Sequence, residues 1–586
     1  MTTKDVRGGT SALSYAAISG EFRETPLDWD SEVDVLVFGS GAAGMTTALV
    51  AAKAGLQVLI CEKAAKVGGT SATSAGTLWL PGNRLWRTEE KDNREAVERY
   101  LRNEIGAALR EDLLHAFLDS APQAADFLNS VGAGLVPSRG NPDYHADQPD
   151  GATGGRAVAP EPFDGKLLGS DFALLRAPHT VLMIFGGMMI NRRELPDFLQ
   201  PFASKGSAVR VMRLLWRHLR DRLRYPRGTR LLLGNSLMAR LLIAVRKNGV
   251  ELATETALVD LVSGTSGKVL GALVDARTGR RRIRAKRGVV LATGGYPGRL
   301  LQVAKEAGLT PQQVRCYAFP ESQGDGLSAA LRAGAMIDCS GNGTALWTPV
   351  SVYRDRLGRE TIWAHHSLDR GKPGCIAVDG KGRRFVNEAD SYHDFVLGML
   401  SKSAVPAFLI CDRSFVWRYG LGLIRPRWQR LSPWIRDGYL HRADSIADLA
   451  RRIGADPTVL QETVDRSNAQ AAAGQDPDFG RGSRVLNLLN GDLEHRPSPC
   501  LGTIRRPPFF ALPVLPGVLG TAAGISTDAD GRALQWSGTP IAGLYAVGGD
   551  MASVMRGSYP GPGINLGPGV TFAYRAGRSL SGSSCR

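Results

Sequence analysis

The run Val33-Asp-Val-Leu-Val-Phe-Gly39-Ser-Gly41-Ala42-Ala43-Gly44, followed by a second apolar run that closes at Glu62, constrains this chain more than any other feature. It reads as a strand, a glycine turn, a helix over 45–54, a second strand over 57–61, and an acid. Gly39 and Gly41 let the backbone turn tightly and approach a pyrophosphate. Gly44 lets the helix pack closely on the strand, and the turn through Ala42 and Ala43 offers helix N-terminal amides to the phosphates. Glu62, 18 residues after Gly44, is placed to accept hydrogen bonds from an adenosine ribose. A lone glycine fingerprint is weak evidence. Here strand, turn, helix, strand and acid all fall where the mechanism needs them, so the chain is expected to bind a dinucleotide.

At 586 residues the chain exceeds one typical core, and two or more domains are expected. The seven cysteines are scattered without CxxC spacing, which points to neither a disulfide framework nor a zinc site, and to a reducing compartment. The first 30 residues lack an apolar core of signal-peptide length, and no apolar stretch approaches the ~20 residues that span a bilayer. A cytoplasmic location is expected. The net charge of +16 comes with no nucleic-acid-binding motif, so nucleic acid is not an expected partner.

After Glu62 the stretch Lys63-Ala-Ala-Lys-Val-Gly68-Gly69-Thr70-Ser71-Ala-Thr-Ser74-Ala75-Gly76 is small and hydroxyl-rich, suited to lie against a flat ligand. Apolar spacing predicts helices within 90–130 and over 231–247, and strands over 250–262, 269–275 and 281–291. The last strand runs into Ala292-Thr293-Gly294-Gly295, a glycine turn at the sheet edge where α/β proteins bind ligands. A Gly/Pro/Asp-rich loop over 138–155 contains Tyr144-His145, and loops of this length are often functional. From about 345 to 510 the texture changes to tryptophan, proline and basic residues. Strand-and-glycine grammar then returns in Gly543 to Gly549-Asp550. Ser558-Tyr559-Pro-Gly-Pro-Gly563-Ile-Asn565-Leu566-Gly567 follows, and a helix is expected from Val570.

Over 206–225, Arg210, Arg213, Arg217, Arg220 and Arg224 recur at steps of three and four, on one helix face. Met212, Leu215, Trp216, Leu219 and Leu223 occupy another. Together with the apolar run 181–190, this reads as an interfacial element on anionic lipid. The alternative is a surface helix that packs its apolar side on the core.

These pieces together resemble the flavoprotein family that includes fumarate reductases and 3-ketosteroid Δ1-dehydrogenases. The resemblance covers about 30–180 and 228–580. It implies FAD as cofactor, contacted by Gly39 to Glu62, Lys63, Gly69, Thr70, Ser71, Ser74, Ala75, Gly76, Ala292, Thr293, Gly294, Gly549, Asp550, Asn565 and Leu566. It also implies an α/β fold: a Rossmann-like FAD domain from both chain ends (1–345 and 512–586) with an inserted α+β catalytic, capping domain (346–511). Fumarate reductases carry an arginine after a segment like Arg384-Phe-Val-Asn387-Glu388, where this chain has Tyr392, and a histidine and arginine in the C-terminal run, where it has neither. A dicarboxylate would meet no partners there. The ketosteroid dehydrogenases are similar at these points, with a Tyr-Pro-Gly-x-Gly run, a tyrosine after the Phe-Val-Asn-Glu segment and a tyrosine in the loop of Tyr144. The insertion at about 180–228 departs from the shorter members.

The resemblance implies 1,2-dehydrogenation of a 3-ketosteroid: a proton leaves C2 and a hydride leaves C1 for flavin N5. The C2 proton is acidic only if the carbonyl oxygen is polarised, a role assigned to the Tyr559 hydroxyl and the Gly563 amide. Tyr392 is the candidate base, and Tyr144 is placed to donate to it and pass the proton outward. For each tyrosine the alternative is a packed residue with a satisfied hydroxyl. His365, His366 and His393 read as ordinary polar residues, with no metal constellation. No second glycine fingerprint for NAD(P) stands out, which leaves a quinone-like electron acceptor. The expectation is a dehydrogenase of a steroid or of a sterone with a side chain, such as cholest-4-en-3-one, peripherally attached to the inner face of the membrane. A fumarate-reductase-like ene-reductase and a membrane-surface binding flavoprotein without this activity are the competing readings.

Overall fold

The computed structural model describes residues 28–86, 92–191, 194–366, 368–427 and 430–582. Residues 1–27, nearly all of the N-terminal stretch read above, and Cys585 lie outside them. The first apolar run forms the strand Ser31–Phe38, whose side chains alternate between two cores: Val35 and Val37 face one cluster, Leu36 and Phe38 the other. A strand buried on both faces belongs in a parallel sheet covered on each side. Ser31–Phe38 pairs in parallel with Val58–Glu62 and with Gly279–Leu291, and Pro540–Ala546 adds in parallel beyond. The register sets Val37 beside both Ile60 and Val290, and Val290 beside Tyr545. Four carboxyl ends therefore share one sheet edge, although one of them comes from the far end of the chain.

Helix Ala42–Lys53 starts three residues earlier than its apolar periodicity predicts, because the glycine turn is already helical from Ala42. It packs on the C-terminal helix Leu566–Leu580, where a Cβ at Gly577 would come within 2.6 Å of the Val50 side chain. That C-terminal helix likewise opens four residues before the expected Val570. The predicted strand over 250–262 is two strands, Glu251–Thr254 and Thr256–Ser263, broken at Glu255, which takes φ 53°.

A second, mostly antiparallel sheet is built around the long strand Phe509–Thr521, flanked by Ala345–Arg354 and Ala407–Asp412. Phe509–Thr521 runs across position 512. Helix Tyr392–Ser401 packs near this sheet, capped by the Ser391 hydroxyl, which accepts from the Asp394 amide at 3.1 Å. No helix among the described residues is long and apolar enough to cross a membrane.

The basic segment forms helix Lys205–Arg222, but its faces are not those of a core-packed surface helix. Ser207, Val211, His218 and Asp221 are buried, while Met212, Trp216, Leu219 and Leu223 are 66%, 69%, 61% and 84% exposed. Four of the five apolar residues singled out in the sequence thus face outward, while Leu215 is half-buried. The arginine stripe is also partly used within the protein. Arg210 bonds Asp197 at 2.7 Å and Arg217 bonds Asp164 at 3.0 Å, while Arg224 follows the helix end.

Candidate active site

The four strand ends open into one cavity of about 640 Å³, within the range of cofactor and ligand sites. Its wall includes Gly39, Gly41, Ala42, Ala43, Glu62, Lys63, Gly69, Thr70, Ser71, Ser74, Ala75, Gly76, Ala292, Thr293, Gly294, Gly549, Asn565 and Leu566. The cavity continues to Gly563 and to Tyr144, Tyr392 and Tyr559. Two residues expected among the cofactor contacts stand behind the wall instead. Gly44 serves packing, since a Cβ there would lie 2.0 Å from the Gly39 carbonyl oxygen. Asp550 accepts from the Thr293 amide at 2.5 Å and the Gly295 amide at 3.0 Å, so its carboxylate holds the glycine turn.

The cofactor end fits a dinucleotide. Gly39 takes φ 105°, and a Cβ there would sit 2.1 Å from the Ala292 carbonyl oxygen, so no other residue suits that crossing of two turns. Glu62 accepts from the Ser40 amide at 3.1 Å and the Ser40 hydroxyl at 2.6 Å, which orients its carboxylate at the cavity wall. Ser40 sits between the fingerprint glycines and carries no signal of this role in the sequence. Lys63 bonds Asp325 at 2.6 Å. Thr521 Oγ1, on the wall, has no hydrogen-bond partner among the described residues and is available to a bound group.

At the other end three phenols meet. Tyr144 Oη donates to Tyr392 Oη at 2.9 Å, and Tyr392 Oη donates to Tyr559 Oη at 2.8 Å. The rings of Tyr144 and Tyr559 stack, with centroids 5.6 Å apart, and Tyr392 meets both edge-on. The Tyr144 amide and the Tyr100 hydroxyl both donate to the Pro560 carbonyl, at 2.9 and 2.7 Å, so the loop is tied directly to the turn that carries Tyr559. Asp143 adds a second tie by accepting from Trp79 Nε1 at 2.9 Å. Gly563, at φ 95°, presses on the Thr77 carbonyl, where a Cβ would reach 2.5 Å.

Burial pushes all three phenols well above the ordinary tyrosine range. The buried Arg370 guanidinium opposes this at Tyr144 and Tyr392. His366, read from the sequence as an ordinary polar residue, lines the cavity with its ring 4.7 Å from that of Tyr392, and burial lowers it to about 4. His179 also lines the wall, stacked on Tyr317 at 4.6 Å, and burial lowers it too. Spacing alone signalled neither ring, because each reaches the wall from an irregular segment.

Comparison with known proteins agrees with this geometry. The family model "FAD binding domain" matches residues 34–566. The chain is 37% identical to 4-oxocyclohex-2-ene-1-carboxylate 5-dehydrogenase of Sinomonas cyclohexanicum, over 94% of this chain and 93% of that one. It is 34% identical to 3-oxosteroid 1-dehydrogenase of Mycobacterium tuberculosis, over 93% and 97%. Among solved structures, the 3-ketosteroid Δ1-dehydrogenase of Sterolibacterium denitrificans in complex with 1,4-androstadiene-3,17-dione superposes with a TM-score of 0.85. It is 33% identical, over 94% of this chain and all of that one. The chain therefore belongs to the FAD-binding flavoproteins, with the fold of the fumarate reductase/succinate dehydrogenase group. It is an FAD-dependent oxidoreductase that dehydrogenates a CH–CH bond.

Proposed function

We propose that the protein is a 3-ketosteroid Δ1-dehydrogenase. The observation that carries this reading over an alicyclic carboxylate is the charge of the cavity wall. Among the described residues the one cation on the wall is Lys63, at the cofactor end and paired with Asp325, and none of those lining it is an arginine. His179 and His366, both shifted down by burial, are poor partners for an anion. A carboxylate at the phenol end would lie unpaired, at a cost of several kcal/mol. A neutral ketone avoids that cost, and its oxygen can take the hydrogen bond that Tyr559 has to give.

FAD held at the cofactor end would supply, at N5, the acceptor for the hydride that leaves C1. Tyr559 Oη and the Gly563 amide polarise the C3 carbonyl, which acidifies C2. Tyr392 takes the C2 proton, and the hydrogen bond from Tyr144 stabilises the phenolate that Tyr392 must become. The division into FAD-binding segments 1–345 and 512–586 around a catalytic segment 346–511 belongs to the same reading, as does a quinone-like electron acceptor.

Membrane attachment at the cytoplasmic face is a further part of it. Met212, Trp216, Leu219 and Leu223 are exposed beside Arg213 and Arg220, and Phe185 and Phe202 on the same insertion are 62% and 89% exposed. An apolar patch rimmed by cations matches an anionic lipid surface. Leu182, on that insertion, also lines the cavity, which favours a sterone drawn from lipid.

The anaerobic test adds androst-4-ene-3,17-dione or cholest-4-en-3-one to the purified holoenzyme and follows flavin absorbance. Bleaching supports the assignment. Bleaching only by a reduced donor, with reoxidation by an unsaturated acid, favours an ene-reductase, and no response to any steroid favours a binding protein.

A further inference from the structure

Each phenol has a chain neighbour tied to one cluster outside the cavity wall. His145 follows Tyr144, and its Nδ1 lies 2.8 Å from Glu104 Oε2 while its Nε2 lies 2.9 Å from Asp394 Oδ2. Asp394 stands two residues after Tyr392, in the first turn of the same helix, and also accepts from the Ser391 hydroxyl at 2.6 Å. Glu104, near the end of helix Arg94–Ile105, accepts at its main-chain carbonyl from the hydroxyl of Ser558, the residue before Tyr559, at 2.9 Å. None of Glu104, His145 and Asp394 lines the cavity.

A neutral imidazole has one donor and one acceptor, so it would turn a lone pair on one of the two carboxylates. With a carboxylate at each nitrogen, the ring is an imidazolium that donates to both. Burial opposes the charge, but the two carboxylates outweigh it and His145 is pushed up to about 10. The other titratable groups facing this cluster are His393, lowered to about 4 by burial, the cation Arg370, the carboxylate of Asp390, and the phenols of Tyr100 and Tyr144.

We propose that Glu104, His145 and Asp394 form a clasp that positions the Tyr144 hydroxyl on Tyr392. The proposal rests on the reading of Tyr392 as the base. Tyr144 comes from a loop with no regular structure over 138–155, whereas Tyr392 starts a helix. The Tyr144 amide fixes the loop to the turn of Tyr559, but the helix that carries Tyr392 needs its own tie to the loop if the two hydroxyls are to stay within hydrogen-bond range. His145 supplies that tie one residue away. It is a positioning residue, acting through Tyr144.

The experiment is a double-mutant cycle on the holoenzyme with androst-4-ene-3,17-dione. His145→Gln should lower kcat roughly 10- to 100-fold while KM stays within about threefold. It should also move the acid limb of the kcat/KM profile upward by about one pH unit. In a Tyr144→Phe background the same substitution should add less than about twofold, because its effect passes through the missing hydroxyl. Asp394→Asn keeps the Asp394 amide on Ser391 and should follow His145→Gln, and it carries the cycle if His145→Gln does not retain FAD. Full loss on top of Tyr144→Phe, or a lowered melting temperature with the pH profile unmoved, overturns the clasp. A wild-type enzyme inert toward steroid overturns the functional reading instead. Hydrogen exchange then decides the clasp: faster exchange confined to 138–155 and the first turn of Tyr392–Ser401 in His145→Gln upholds it, and unchanged exchange there ends it.

Discussion

The hydroxyls of Tyr392 and Tyr559 stand 2.8 Å apart, although 167 positions separate them in the chain. Tyr392 also receives the Tyr144 hydroxyl, so it occupies the centre of the phenol chain. Tyr392→Phe removes the one oxygen that touches both neighbours and leaves the cofactor-end residues in place. FAD content, read from flavin absorbance, should be retained while kcat falls ~10²- to 10⁴-fold. Near-normal turnover would remove Tyr392 as the base.

Because burial holds the Tyr392 phenol above its ordinary range, the ionised fraction is small at neutral pH. Below the pKa of an acid, that fraction grows tenfold with each pH unit. Turnover limited by the phenolate should therefore climb by up to about tenfold per unit between pH 7 and 9. A flat profile of kcat/KM over that interval would argue for a different base.

The charge of the cavity wall separates two substrate classes found among the relatives. An unpaired carboxylate costing several kcal/mol predicts a preference for androst-4-ene-3,17-dione over 4-oxocyclohexanecarboxylate of roughly 10²- to 10³-fold in kcat/KM. Parallel steady-state assays with one electron acceptor measure it. Equal or reversed preference would mean that a cation reaches the phenol end when substrate binds.

How far the sequence could be read depends on whether a signal is local. The turn from Gly39 to Gly44 and the acid Glu62 were legible because glycine spacing and strand length fix the geometry within one βαβ unit. The parallel strand Pro540–Ala546 completes the same edge from hundreds of residues away, and only its glycine run announced it. Asp550 was legible as part of that run but not as the residue that holds the Thr293 turn, since a carboxylate's direction is not in its spacing. The convergence of Tyr144, Tyr392 and Tyr559 was reached through family resemblance, because no periodicity links a loop, a helix start and a proline turn. Helix 205–222 shows another limit. Its amphipathic pattern was plain, yet periodicity does not say which face meets the protein. The buried face turned out to carry Ser207, Val211, His218 and Asp221.

The His145 clasp has a consequence for stability with a definite sign. The folded ring is pushed up to about 10 from an ordinary value of 6.5, so the folded state holds a proton that the unfolded chain releases earlier. A raised pKa stabilises fully below the unfolded value and loses its contribution as pH rises toward the folded one. The melting-temperature advantage of wild type over His145→Gln should thus be greatest at or below pH 6.5 and shrink steadily up to pH 10. A difference that does not vary with pH would mean that the ring is not the proton carrier.

The exposed face of helix Lys205–Arg222 gives the last prediction. Full burial of a large apolar side chain is worth about 1.5–3 kcal/mol, and each arginine near an anionic surface adds about 1 kcal/mol. Four exposed apolar residues with the exposed Arg213 and Arg220 therefore suffice for reversible docking, and the two contributions respond to different treatments. Vesicles containing phosphatidylglycerol should sediment the wild-type protein at low salt, and raising the salt should release part of it by screening the arginines. The pair Trp216→Glu and Leu219→Glu places charge on a mostly exposed face, so melting temperature and FAD content should hold while sedimentation is lost at every salt concentration. Turnover of a water-soluble steroid by that variant should match wild type, whereas turnover of a sterone presented in vesicles should fall with the loss of docking. If the double variant still sediments with vesicles, the helix is not the lipid contact.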